Sequence, residues 1–364
     1  MNKKRSGLYL PIILALTVIF GMFLGSKLNF KTESNNVFSI QFNKFDKFNE
    51  ILNYIIEEYV DSINKDRLIE GALRTTLKNL DPHSAYIRAE ELKALNEPLE
   101  GNFEGIGIEF NIIKDTIIVI SPISGGPSEM LGIEAGDRII KIEDEFVAGI
   151  GITNREVINR LRGASGSKVA VSIGRKGTTA LIDYNITRGR IPIQSIDVAY
   201  MVNDSIGYIK ISRFSATTYD EYLKHFNQLQ NNGLKGLILD LRGNPGGYLS
   251  AATALTDEFL ENKKLIVYTK GKSTSNSSYF ATNKGNFHQG KLIVLIDEGS
   301  ASASEIIAGA IQDNDRGLII GRRSFGKGLV QEQYEFPDGS AVRLTIARYY
   351  TPTGRCIQKP YYEG

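Results

Sequence analysis

Apolar side chains recur along this chain with changing period, and the changes mark three regions. Over 45–58, Phe45, Phe48, Ile51, Leu52, Ile55 and Ile56 fall at helical spacing, which predicts an amphipathic helix. Leu68, Ala72, Leu73 and Leu77 predict a second helix over 65–79, stopped by the turn Asp81-Pro82-His83-Ser84, and a third follows over 89–96. Beyond Gly105 the predicted elements are short strands. A glycine loop runs into a strand over 105–110, and others follow at 117–120, within 135–142, at 169–173 and at 182–186, with one amphipathic helix at 154–161. Short strands around one helix in about ninety residues predict a compact β-rich module. From 205 onward, apolar runs at 205–211, 236–241, 265–269, 292–297 and 317–321 alternate with helical patterns at 219–231, 249–260 and 304–313, which predicts α/β layering. The polar stretch 272–289 predicts an exposed loop. The fold class is thus α/β and β-rich multidomain, divided as 31–100, 101–190 and 191–364.

One further segment is apolar throughout. Residues 7–26 carry no charge, are rich in Leu, Ile, Val and Phe, and are about long enough to cross a bilayer as a helix. Lys3, Lys4 and Arg5 precede them, a flank that favours a cytoplasmic N-terminus with the rest of the chain translocated. The expectation is a single-pass transmembrane signal anchor over 1–30, with everything after it on the extracytoplasmic (periplasmic) side of the cytoplasmic membrane. A cleaved signal peptide is the competing reading, although no clear A-x-A site follows. The 364 residues are 42% hydrophobic and 23% charged, enough for a sizeable core in two or three domains. A net charge of +2 gives no signature for nucleic acid. The single cysteine, Cys356, cannot close an internal disulfide, and His83, His225 and His288 match no ligand spacing, so neither metal nor cofactor is expected.

Four segments carry candidate chemistry. Glu298-Gly299-Ser300-Ala301-Ser302-Ala303-Ser304-Glu305 lies between a predicted buried strand and a predicted helix. A hydroxyl there meets free N–H groups and the positive end of the helix dipole, as a nucleophile that develops an oxyanion requires. Ser302-Ala303-Ser304-Glu305 equally fits a capping box, so this segment alone reads as cap or nucleophile. Gly321 to Gly328 nearly matches the P-loop pattern, but Gly328 stands where the Mg²⁺-binding hydroxyl belongs and 329–336 alternates like a strand. Lys327 in that loop acts as a base only if neighbours such as Phe325, Leu329 and Val330 desolvate its ammonium; otherwise it is a surface lysine. Gln331, an even step along the strand, can face Lys327 and orient its amine, or be an ordinary solvated glutamine. Arg242-Gly243-Asn244-Pro245-Gly246-Gly247 puts glycines at a strand end, which either aim an N–H into a cleft or make a plain tight turn. Gly105-Ile106-Gly107-Ile108 is a nest for a carboxylate ahead of a strand that can pair with a peptide, and Val157 and Leu161 complete the candidate peptide-binding groove.

In their order along the chain, Asp81-Pro82-His83-Ser84, Gly105-Ile106-Gly107-Ile108, Gly136-Asp137-Arg138-Ile139, Asp240 to Gly247, Gly299 to Glu305 and Phe325-Gly326-Lys327-Gly328 resemble the carboxyl-terminal processing proteases. These are tail-specific serine peptidases with an inserted PDZ domain. The resemblance implies a ClpP/crotonase-like α/β protease core, an inserted PDZ domain and an N-terminal helical region. It implies Ser302 as nucleophile, Lys327 as general base, Gln331 as the lysine's partner, and the backbone N–H groups of Gly247 and Ala303 as the oxyanion hole. The implied substrates are proteins or peptides with apolar C-termini, whose terminal carboxylate the PDZ domain takes. Arg162, in Leu161-Arg162-Gly163, becomes a candidate for carrying a gating signal from that domain, against the plain reading of an exposed helix-end arginine. The expected function is a serine endopeptidase that processes or degrades exported proteins from their C-termini; a non-catalytic PDZ-containing scaffold is the alternative. A homo-oligomer formed through the N-terminal helices, or an adaptor, is a further expected partner. The resemblance also implies strand and helical sequence beyond Gly364, so the core is expected to be shortened or a fragment.

Overall fold

The helical periods near the N-terminus fold as helices. The structure, a computed structural model, describes residues 17–18, 47–273 and 276–361. The predicted anchor and tether therefore lie outside the described residues, apart from Thr17 and Val18. Among the described residues no helix is long and apolar enough to cross a membrane. The chain divides at Lys65 into two compact units. In the first, α1 (Lys47–Glu58) buries Leu52 and leaves Phe48, Ile51 and Tyr54 exposed. At the division α2 (Lys65–Lys78) begins, followed by β1 (Ala85–Ile87) and α3 (Ala89–Glu100). α3 continues past the predicted 96 through Pro98 and stops where Gly101 takes the left-handed conformation, its N–H on the Glu97 carbonyl oxygen. β1 pairs antiparallel with residues 341–343, which fastens this region to the far end of the chain.

The next segment is a closed insertion. β2 (Asn102–Gly105) pairs with β9 (Gly189–Pro192), so the chain enters and leaves the module through one two-stranded neck. Between them lie β3 (Ile108–Ile113), β4 (Thr116–Pro122), α4 (Pro127–Met130), β5 (Arg138–Ile142), β6 (Glu145–Phe146), α5 (Asn154–Leu161), β7 (Lys168–Gly174) and β8 (Ile182–Thr187). Their sheet runs β3-β4-β5-β7-β8, with β6 on β5. Alternate residues such as Val169, Val171 and Ile173 point inward onto Ile117, Ile139, Val157 and Leu161, as the two-residue period requires. A capping box of Thr153 and Glu156 starts α5. Among the described residues β3 pairs with β4 alone, so its outer edge is open.

The remaining elements are β10 (Ile196–Met201), β11 (Ile206–Ile211), α6 (Thr218–Asn231), β12 (Gly236–Asp240), α7 (Leu249–Asp257), β13 (Leu265–Gly271), β14 (Ser277–Phe280), β15 (Lys291–Ile296), α8 (Ala303–Asp313), β16 (Leu318–Gly321), β17 (Leu329–Glu335) and β18 (Ala341–Tyr350). One sheet has the order β10-β11-β12-β15-β16, with β11, β12, β15 and β16 parallel. Its central strand β12 reads as a continuous apolar run because both of its faces are covered, and Ile209, Leu239 and Val294 are wholly buried with Phe226, Leu255 and Ile307 from the helices. The other sheet runs β1-β18-β13-β14, with β17 on β18. Two sequence expectations are corrected here. The stretch 272–289 is not all exposed loop, since β14 pairs with β13 and Phe287 is buried edge-on against Phe226 and Phe259. Its polar letters hid a strand held by backbone pairing. α7 ends at Asp257, short of the predicted 260, while Phe259 and Leu260 stay buried without helix.

Candidate active site

Because β12 pairs with β15 and β15 with β16, the loops that follow these three strands emerge side by side at the carboxyl end of the sheet, where α/β folds place their ligands. Hydrogen bonds join them. The Gly243 N–H donates to Asp297 Oδ1 (2.8 Å), the Ala301 N–H to the Asn244 carbonyl (2.9 Å), Ser300 Oγ to the Leu241 carbonyl (2.8 Å), and the Phe325 N–H to the Ser300 carbonyl (3.0 Å). The glycine turn, the serine segment and the lysine loop are thereby one body.

Ser302 sits at φ +55° and ψ −109°, a conformation that L-residues rarely adopt and that active sites often hold under strain. The α/β-hydrolase elbow places its serine on a strained strand-to-helix turn of this kind. Here the turn forms without the G-x-S-x-G letters, and the room comes from another loop. A Cβ on Gly246 would fall 2.8 Å from Ser302 Cβ and 3.0 Å from the Ala303 nitrogen. Gly247 lies in a parallel bridge to Phe214, in which the Phe214 N–H donates to the Gly246 carbonyl and the Tyr248 N–H to the Phe214 carbonyl. Alternation along that bridge turns the Gly247 N–H away from Phe214. A Cβ at Gly247 would meet the Phe214 oxygen at 1.9 Å, so this backbone path needs glycine. Among the described residues the N–H groups of Gly247 and of Ala303, the first residue of α8, donate to no acceptor.

On the other side, Lys327 Nζ donates to Gln331 Oε1 at 3.1 Å, and Gln331 Nε2 donates to the His83 carbonyl at 2.8 Å. Burial pushes the Lys327 ammonium below the ordinary lysine value, the Arg343 charge adds to this, and Asp81 opposes it. Burial and the charge of Lys327 likewise push the His83 imidazole down against Asp81. Gly328 leads into β17 rather than a helix, so the loop is not a P-loop. No hydrogen bond among the described residues joins Lys327 Nζ to Ser302 Oγ. The two are linked through the buried Glu305 instead. Its carboxylate accepts from the Ser302 N–H (2.8 Å) and the Lys327 N–H (2.8 Å) on Oε2, and from Ser324 Oγ (2.8 Å) and the Gly326 N–H (2.7 Å) on Oε1. Sequence reasoning placed Glu305 in a capping box but missed this reach into the lysine loop, for which no local pattern exists. It also missed the contribution of His83.

In the inserted module, the Gly105–Gly107 segment leads into β3, and the N–H groups of Ile106 and Gly107 donate to no acceptor among the described residues. Ile108 is half-buried beside the open edge. Val157 and Leu161 do not line an accessible groove: both are buried in the module core, as is Ile106, because they lie on the face of α5 that packs on the sheet. Ile158 is the more exposed apolar residue of that helix. Arg162 is not a free helix-end arginine. It ion-pairs with the buried Glu97 of α3, and its guanidinium lies 4.8 Å from the centre of the Phe103 ring in β2.

Comparison with known proteins agrees with this architecture. The model of peptidase family S41 matches residues 205–363, that of the PDZ domain 105–186, and that of the activating protease CtpB N-terminal domain 23–91. A carboxy-terminal-processing protease of Bartonella bacilliformis is 38% identical over 347 residues, covering 93% of this chain and 79% of that protein. The carboxy-terminal processing protease CtpA of Bacillus subtilis is 36% identical over 317 residues, covering 87% of this chain and 67% of that one. A solved structure from Bacteroides fragilis, assigned to the S41 proteases, shares the fold with a TM-score of 0.50 at 16% identity, covering 84% of this chain and 86% of its own. The chain belongs to peptidase family S41, among the carboxy-terminal processing serine proteases that carry a PDZ domain.

Proposed function

We propose that Ser302 and Lys327 form a catalytic dyad that cleaves exported proteins from their C-termini. The observation that carries this reading is a strained serine at a helix start, with two unspent N–H groups beside it and a desolvated lysine in the adjoining loop. Neutral Lys327 takes the proton of Ser302 Oγ as that oxygen attacks the peptide carbonyl carbon. The resulting oxyanion is held by the Gly247 and Ala303 N–H groups. Collapse breaks the C–N bond, and the lysine ammonium returns its proton to the departing amine. Water, deprotonated by Lys327, then releases the acyl group. The hydrogen bond between the dyad members closes on substrate binding, as catalytic contacts often do.

The open edge of β3 and the unspent Ile106 and Gly107 N–H groups suit an extended peptide with a free carboxylate, the apolar last residues resting near Ile108 and Ile158. Arg162, between α5, α3 and the β2 neck, is the candidate relay from that peptide to the core. The uncharged 7–26 stretch behind Lys3, Lys4 and Arg5 supports a membrane anchor with the protease on the extracytoplasmic side. The exposed apolar side chains of α1 support self-association through the N-terminal region.

Steady-state cleavage of an unfolded reporter with an apolar C-terminus tests the dyad. Ser302→Ala and Lys327→Ala should each lower kcat by about a thousandfold or more while leaving the melting temperature near wild type. Undiminished turnover in Ser302→Ala would remove the serine from the mechanism, and an active Lys327→Ala would remove the lysine base.

A further inference from the structure

The turn Asp81-Pro82-His83-Ser84 precedes the protease core by more than a hundred residues, yet it touches the residue that holds the base. We propose that this turn is a positioning element of catalysis: its His83 carbonyl fixes the orientation of the Gln331 amide and, through it, the amine of Lys327. The inference rests on the Ser302–Lys327 reading above.

An amide side chain presents an acceptor on one side and donors on the other, and the two are nearly the same in shape. A carbonyl oxygen can only accept. The His83 carbonyl therefore requires Gln331 Nε2 to face it, which turns Gln331 Oε1 toward Lys327 Nζ at 3.1 Å. In this orientation the amine is held by one of its own N–H bonds, and its lone pair stays free for the Ser302 proton. In the reverse orientation Nε2–H would donate to that lone pair and compete with Ser302 Oγ. A wrongly turned glutamine would thus inhibit the base it is meant to orient.

The turn is built to hold that carbonyl. Asp81 Oδ1 accepts the His83 N–H (2.7 Å) and the Ser84 N–H (2.8 Å), and Oδ2 accepts Ser84 Oγ–H (2.7 Å). Pro82 restricts the backbone within it. Ser84 Oγ in turn accepts the Thr345 N–H (3.2 Å), and Thr345 stands opposite Gln331 in the β17–β18 ladder. Turn, Thr345 and Gln331 therefore form one row, closed by the β1–β18 pairing that begins at Ala85. Burial works to raise the Asp81 pKa, but the bonds from Ser84 and the His83 N–H outweigh it and hold the carboxyl below its usual value, so it is the charged acceptor that shapes the turn.

A double-mutant cycle on the full chain tests the coupling, with the same reporter. Asp81→Ala and Gln331→Ala should each lower kcat by about tenfold or more with KM within about twofold of wild type. The double variant should be no more than about threefold worse than the worse single one, because both break the same device. Asp81→Asn keeps the Oδ1 acceptor and should retain most of the wild-type kcat. A double variant whose loss is the product of the two single losses would overturn the proposal, since Asp81 would then act independently of Gln331. If Asp81→Ala unfolds, Ser84→Ala replaces it in the cycle, with the same two outcomes. A wild type indifferent to Ser302→Ala would sink the catalytic reading instead. Exchange of the Gln331 side-chain amide by NMR then decides the positioning: protection in wild type that is lost in Asp81→Ala supports it, and equal exchange in both refutes it.

Discussion

Around Ser302 the constraints come from the ends of two adjacent strands and one glycine turn, whereas around Lys327 they come from parts of the chain that are far apart in sequence. The serine is strained and half-buried, its N–H bonded to Glu305, with Ala301, Ala303 and Gly246 crowded against it. The lysine is desolvated but mobile in type, a long side chain whose place is set by Gln331, the Asp81–Ser84 turn and the charge of Arg343. For the proposed dyad the difference is a division of labour: an attacking atom fixed in position beside its oxyanion donors, and a base whose proton affinity is adjustable. Rigidity at the first should be costly to disturb; disturbance at the second should change pH dependence before it changes the fold.

Short of removing Ser302 or Lys327 itself, the largest effect is expected at Gly246. Alanine there would force a Cβ to 2.7 Å from the Ala301 oxygen and 2.8 Å from Ser302 Cβ, at a φ of +98°. Both strain and collision fall on the Ser302 turn. Gly246→Ala should lower kcat by about a hundredfold or more, as loss of an oxyanion donor does, and should lower the melting temperature as well. If this variant kept half of the wild-type turnover, the turn would not be the rigid half of the comparison.

Glu305 is where the two halves meet, so its substitution sharpens the contrast. In Glu305→Gln one acceptor oxygen becomes an NH₂ group, which faces either the Ser302 and Lys327 N–H groups or Ser324 Oγ and the Gly326 N–H. Donors then meet donors in a buried site, at a cost of roughly 1–3 kcal/mol per stranded group. The expected result is a loss of kcat of about tenfold to a hundredfold with a lowered denaturant midpoint, and KM should move less than kcat. A change confined to stability would leave Glu305 a helix cap and nothing more.

The same contrast explains what could be read from the letters. The half around Ser302 is local: a small-residue run between an apolar strand and a helix, and a glycine turn after another strand, are patterns a sequence displays. Even so, the run alone reads first as a capping box. In the structure Glu305 accepts the Ser302 N–H as a cap does, while Ser302 holds an angle no ordinary cap needs, which supports the proposed nucleophile. The base half depends on which distant segments meet, and no periodicity encodes that. His83 was visible as part of a turn that stops a helix and of a motif in the resemblance, with no role at the site, and β18, which carries Arg343 and Thr345, mixes charged and apolar residues and shows no clean alternation. The same limit misplaced Val157 and Leu161, because an apolar helix face looks alike whether it meets a ligand or its own sheet.

The smallest expected effect is also the most specific to the base. In the proposed dyad Lys327 can accept the Ser302 proton only when neutral, so kcat/KM should rise with pH through its folded-state pKa, which burial and then Arg343 place below the ordinary lysine value. Arg343 lies in β18, where Nη2 donates to Gln333 Oε1 at 2.9 Å, and its charge disfavours a second cation at Lys327. Arg343→Gln removes that repulsion. The ammonium form of Lys327 becomes easier to keep, its pKa rises, and the acidic limb of the pH profile moves to higher pH. Turnover at neutral pH should fall a few-fold while the alkaline plateau stays unchanged, and Arg343→Lys should restore the wild-type profile. Asp81 acts with the opposite sign, so Asp81→Asn should move the limb to lower pH. Opposite displacements from two substitutions, with plateaus intact, are what an adjustable base requires. A profile that followed neither charge would mean that the titrating group is not Lys327, and the comparison between a fixed nucleophile and a tuned base would lose its second half.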